Sequence, residues 1–140
     1  MKIPVMLKLS GRQNYLDQDP EIIELTTEGT LERNGDGWQI CYEESELTGL
    51  KGVTTTFSIL PGKVSLIRTG ALKSEMHFEV GQYHHSLYQM DFGALQITVY
   101  ASQVDYELDE NGGVLDLVYA IDIENTASGL IIYHLEVNAL

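Results

Sequence analysis

The chain has 140 residues, with 8 Lys and Arg set against 21 Asp and Glu, and a formal net charge of −13. That balance excludes nucleic acid as a partner, because its binders gain affinity by setting cations against phosphates, and it excludes an anionic membrane surface on the same ground. Hydrophobic residues make up 44% of the chain, well above the level of disordered segments, so a single folded domain over residues 1–140 is expected.

Along the chain, Met1 to Leu7 starts as an apolar run but is cut by Lys8, Ser10, Gly11 and Arg12, too soon for the core of a signal peptide. No later run approaches the roughly 20 apolar residues of a membrane-spanning helix. Ile23, Leu25, Thr27, Gly29 and Leu31 alternate with Glu24, Thr26, Glu28, Thr30 and Glu32, which sets an apolar and an acidic face on one strand. Asn34-Gly35-Asp36-Gly37 tolerates the positive φ of a tight hairpin. The return strand carries Trp38, Ile40 and Tyr42 on its inner face. Cys41 lies on the other face; as the one cysteine, it leaves no internal disulfide and reads as an inert thiol in a cytoplasmic protein.

Val53 to Leu60 and Lys63 to Thr69 flank the turn Pro61-Gly62, and Ser74 to Val80 sets Met76, Phe78 and Val80 opposite Glu75, His77 and Glu79. Gly81 to Gly93 reads as a loop. From Ala94 to Asp109 the apolar positions are odd through Leu95, Ile97 and Val99, then even through Val104, Tyr106 and Leu108. A β-bulge near Ala101-Ser102-Gln103 reconciles the two halves. After the turn Asn111-Gly112-Gly113 come the inward set Leu115, Leu117, Tyr119, Ile121 and Ile123, then a last strand from Leu130 to Val137, on which His134 shares the face of Leu130 and Ile132.

About nine strands in hairpin order leave two sheet edges, and a chain of this size removes them by closing the sheet. The expectation is an all-β fold: one up-and-down meander of about 8–10 antiparallel strands, closed as a calycin-like barrel.

The order Trp38-Gln39-Ile40-Cys41-Tyr42-Glu43-Glu44, Thr54-Thr55-Thr56, Val64-Ser65-Leu66-Ile67-Arg68-Thr69-Gly70, Met76-His77-Phe78-Glu79-Val80-Gly81 and Phe92-Gly93 resembles the YwiB-like family of small bacterial proteins. That resemblance spans nearly the whole chain and implies a lipocalin-type barrel. It implies no activity, cofactor or ligand.

Phosphate-cradling glycine loops are absent, no nucleophile can be placed beside its base, and no cofactor is called for. Asp105, Glu107 and Asp109 have the alternation of a calcium loop, but Glu110 stands where the turn glycine belongs, so they read as the wet face of a strand. His84 and His85 would meet His77 at a metal only if their segment were a loop, and a plain polar loop is the preferred reading. Parity places Arg68 on the face of Val64 and Leu66, and Glu44 on the face of Tyr42, so both project into one end of the barrel. A buried guanidinium demands a partner. Two function classes stay open. One is a barrel that takes a small amphipathic or anionic ligand, lined by Arg68, Tyr42, Glu44, Tyr83, His84, Tyr88 and Phe92. The other is a filled barrel acting as an interaction module or homodimer, which the bulk of Trp38, Phe57, Phe78 and Tyr119 favours.

Overall fold

The computed structural model describes residues 2–15, 21–45, 51–90, 93–124 and 126–140. Ten strands make one antiparallel sheet: β1 (Lys2–Tyr15), β2 (Glu21–Asn34), β3 (Gly37–Glu43), β4 (Val53–Leu60), β5 (Lys63–Gly70), β6 (Ser74–Phe78), β7 (Tyr83–Met90), β8 (Gly93–Asp109), β9 (Gly112–Ile123) and β10 (Thr126–Ala139). Their order in the sheet is β6-β5-β4-β3-β2-β1-β10-β9-β8-β7. Both halves are therefore meanders. The long pairing of β1 with β10 joins them, and the sheet curls until β6 and β7 approach each other in a nearly closed barrel. Along that seam the backbone pairing among the described residues thins out to one antiparallel bridge between Lys73 and Gln89 and a parallel one between Val80 and Ala101.

Local chemistry explains the elements. The hairpin from β2 to β3 turns at Gly35, whose φ of 59° is open to glycine at little cost, and Arg33 Nε donates to the Gly35 carbonyl across it at 3.1 Å. In β8 the register shifts between Ala101 and Gln103, which is the bulge that the parity change requires. The acids Glu24, Glu28, Glu43 and Glu75 are all exposed, so much of the net charge is spread over the outer surface. An apolar inside and a charged outside is the inverse of a lipid-facing barrel.

Three expectations need correction. Residues Tyr83 to Met90 form β7, where a loop was expected. Val80 lies beyond the end of β6, tied to the sheet only by its isolated bridge to Ala101, and is 58% exposed. On β10 the inward residues are Ile131, Tyr133, Leu135 and Val137; Leu130, Ile132 and His134 belong to the outer face.

The interior is filled. Leu7, Leu31, Ile40, Phe57, Ile59, Phe78, Leu115 and Leu135 are fully buried, each contributing roughly 1.5–3 kcal/mol relative to exposure. Aromatic rings meet across the barrel, Phe78 with Tyr119 at 4.6 Å between centroids and Phe57 with Tyr133 at 5.7 Å. Such spacings are those of packed ring pairs, and they leave the middle of the barrel to side chains.

Candidate functional site

Where the apolar core ends, a polar row begins. Register carries it across four strands: Tyr42 on β3 lies opposite Thr55 on β4, Thr55 opposite Arg68 on β5, and Arg68 opposite Ser74 on β6. Cross-strand neighbours share a face. All four therefore point to the inside of one barrel end, and Glu44, two residues beyond Tyr42, joins them.

Glu44 is the centre of this group. Its side chain is 2% exposed, and Oε2 lies 3.9 Å from Arg68 Nε while accepting a hydrogen bond from Thr55 Oγ1 at 2.7 Å. The other oxygen, Oε1, is buried with no hydrogen-bond partner among the described residues; the same holds for Arg68 Nε and Ser74 Oγ. Buried polar atoms normally find partners, and three of the five unpartnered ones among the described residues fall in this row, the others being His84 Nε2 and Ser86 Oγ on β7. The Arg68 side chain is 18% exposed, and the row opens to solvent on that side.

Two phenols complete the end. Tyr42 is 4% exposed, and its burial, reinforced by the Glu44 charge, pushes its pKa up to about 12. Tyr133, reaching in from β10, is pushed well above the ordinary phenol value, first by burial and then by Tyr42 beside it. Both stay neutral at physiological pH. Backbone approach holds Tyr42 in place: a Cβ on Gly29 of β2 would lie 2.6 Å from the Cys41 carbonyl oxygen and 3.2 Å from the Tyr42 Cβ.

The residues expected from sequence fare differently. Arg68, Glu44 and Tyr42 come together. Tyr88 is partly buried against the core, one residue before the Gln89 that bridges to Lys73. Tyr83 does not belong to the site: it is 67% exposed on the outer face, its ring tilted against that of Tyr100 at 4.6 Å, because β7 pairs it with an outward residue of β8. His84 shares the face of Val99 but sits at the seam, 3.1 Å from Glu79 Oε1 without hydrogen-bond alignment, its ring 5.6 Å from that of His77. Phe92 lies outside the described residues. Sequence reasoning misses Thr55, Ser74 and Tyr133, since their membership follows from pairing across strands.

Because β7 is a strand, His84 and His85 point to opposite faces, and His85 pairs outside with Thr98 at 2.9 Å. Among the described residues no three His, Cys, Asp or Glu side chains are placed to hold a metal ion. His134 sits on the outer surface between Asp116 and Glu136.

Hollows in the surface lie elsewhere. One of about 430 Å³ is lined by Arg33, Trp38, Leu108, Asp109, Glu110 and Asn111, at the opposite end of β3 from Tyr42. There Arg33 lies over the Trp38 ring at 4.8 Å. A second hollow, of about 520 Å³, adjoins it at the turn from β8 to β9.

Comparison with known proteins fits this picture. The family model described as "Domain of unknown function (DUF1934)" matches residues 7–136. The uncharacterized beta-barrel protein YwiB of Bacillus subtilis (strain 168) is 28% identical over 108 residues, covering 76% of this chain and 74% of that protein. The crystal structure of the ywiB protein from Bacillus subtilis superposes with a TM-score of 0.90 at 23% identity, over 99% of this chain and 93% of that one. With ten antiparallel strands curled into one nearly closed sheet and a family match that runs almost from end to end, the chain belongs to the DUF1934 family, of the YwiB-like β-barrel kind.

Proposed function

We propose that the protein binds a small polar molecule at the Arg68–Glu44 end of its barrel. One observation carries the reading: Glu44 Oε1, Arg68 Nε and Ser74 Oγ are buried, unpartnered among the described residues, and aligned in one row. Leaving such groups unpaired costs about 1–3 kcal/mol each, which a fitting ligand returns on binding. The filled interior limits the guest to the mouth, so the long amphipathic molecules typical of hollow barrels do not suit it. No enzymatic step is assigned, and the chain's single cysteine supports a cytoplasmic setting.

Native mass spectrometry of the gently purified protein tests the reading. A low-mass adduct that disappears in Arg68→Met is the expected result. Wild-type and variant spectra that are both free of adduct, together with a crystal structure showing Glu44 and Arg68 satisfied by protein atoms alone, would overturn it.

A second reading, a homodimer built on the outer face, draws support from Ile22, Leu130 and Ile132, which are 66%, 39% and 40% exposed. Ile22 and Ile132 flank Arg12 in the register of β1. Sedimentation at micromolar concentration decides it: a monomer ends this second reading.

A further inference from the structure

The charges around the polar row point to what kind of guest it takes. This step rests on the ligand-binding reading above and narrows it. Glu44 and Arg68 stand 3.9 Å apart, so the guanidinium charge is already answered inside the protein. Tyr42, Thr55, Ser74 and Tyr133 add hydroxyls and no net charge. Among the described residues, then, the row is neutral overall.

Its open valences are of two kinds. Glu44 Oε1 needs a donor, because a carboxylate only accepts. Arg68 Nε needs an acceptor, because a guanidinium only donates. Ser74 Oγ can serve either way. An anion brought to Arg68 would also face the Glu44 carboxylate at short range, where little water intervenes to screen the repulsion. A cation brought to Glu44 would meet Arg68 with the same penalty. Either guest would enter the barrel end as a third, unbalanced charge, and burying such a charge costs more than one added hydrogen bond returns.

We propose that the Arg68–Glu44 row recognises a neutral group presenting a hydrogen-bond donor beside an acceptor, of the amide or urea class, and discriminates against free carboxylates and against cations. The N–H of such a group donates to Glu44 Oε1. Its carbonyl accepts from Arg68 Nε, and Ser74 bonds whichever edge remains. The expectation of an anionic ligand, natural from Arg68 alone, is redirected by Glu44.

Three molecules with one planar skeleton test this: acetamide, acetate and acetamidinium, titrated into the intact protein and followed by the backbone amide resonances of Tyr42, Thr55, Arg68 and Ser74. Saturable shifts with acetamide, at concentrations about tenfold below those needed for the two ions, are expected; tenfold corresponds to about 1.4 kcal/mol. Equal or tighter binding of acetate or acetamidinium would overturn the inference while leaving the binding reading intact. Silence from all three would overturn both. Glu44→Gln supplies a second arm, because it keeps the shape and uncovers the Arg68 charge. The order of affinity should then reverse in favour of acetate, and an unchanged preference for acetamide would show that charge balance does not set the choice.

Discussion

Arg68 Nε stands 3.9 Å from Glu44 Oε2, near enough for the charges to compensate and too far for a hydrogen bond. The pair is held by position in the sheet more than by direct bonding. Arg68→Met therefore leaves the Glu44 carboxylate buried with only the hydroxyls of Thr55 and Tyr42 to answer it among the described residues, and a loss of about 3 kcal/mol is expected, at the low end for breaking a buried pair because Arg68 is partly solvated. Adding Glu44→Leu should recover most of that loss, since an apolar pair of similar volume often does as well as the ions. Urea unfolding of the two variants measures both steps. A double variant less stable than Arg68→Met would contradict the account.

Thr55 is fully buried, and its hydroxyl has one role, the 2.7 Å bond to Glu44. Thr55→Val keeps the shape and removes the donor, for an expected cost of about 2 kcal/mol. Thr55→Ser keeps the donor and loses a methyl, for about 1 kcal/mol. The order of the two in chemical denaturation is the check: valine at least as stable as serine would mean that the hydroxyl does not hold the carboxylate.

Gly29 matters through what it leaves out. With the Cys41 carbonyl oxygen 2.6 Å and Leu7 Cδ1 2.7 Å from where a Cβ would sit, Gly29→Ala must push β3 outward and carry Tyr42 with it. An overpacking cost of about 1–3 kcal/mol is expected, with a change in the near-ultraviolet circular dichroism of the tyrosines. A melting temperature and spectrum equal to those of the parent would sink this reading of the backbone contact.

The histidines give stability two opposite pH slopes. His134 has its pKa raised, chiefly by its hydrogen bond with Asp116. The folded state holds that proton more tightly, so its contribution is complete below the ordinary histidine value near 6.5 and fades as pH rises through the folded value. His77 has its pKa lowered, chiefly by desolvation and next by Lys63. The unfolded chain takes that proton first, so stability falls as pH drops below about 6.5. Thermal melts from pH 5 to pH 8 (roughly the histidine range) should show less acid destabilisation in His77→Gln and more in His134→Gln. Identical profiles for both variants and the parent would refute the assignment.

Much of this architecture is legible in the sequence, and the exceptions have physical causes. β2 announces itself because one face is wet and acidic and the other is dry. The bulge in β8 does so because an inserted residue shifts the apolar parity partway along a strand. β7 stays hidden: its inner positions are His84, Ser86 and Tyr88, and a strand at a seam need not alternate apolar with polar. On β10, Leu130, Ile131, Ile132 and Tyr133 are apolar on both parities, so periodicity does not tell its inward face from its outward one and leaves Tyr133 unmarked. Arg68 and Glu44 are visible as charges continuing an apolar face. Thr55 and Ser74 are not, because what recruits them is the register between strands, which no single strand contains.

The seam between β6 and β7 sets how the barrel comes apart. Among the described residues the backbone joins the two edges by two hydrogen bonds between Lys73, just before β6, and Gln89 of β7, whereas β1 and β10, at opposite ends of the sequence, pair without interruption from Val5 with Ala139 to Tyr15 with Gly129. β6 and β7, consecutive in the chain, are thus the weakly joined neighbours of the sheet, whereas β1 and β10, the most distant, are among the most extensively paired. Fluctuations should unzip the barrel at this seam into two ribbons still clasped by β1 and β10. Folding runs the other way, waiting on the slow meeting of the two distant strands before the nearby edges can close.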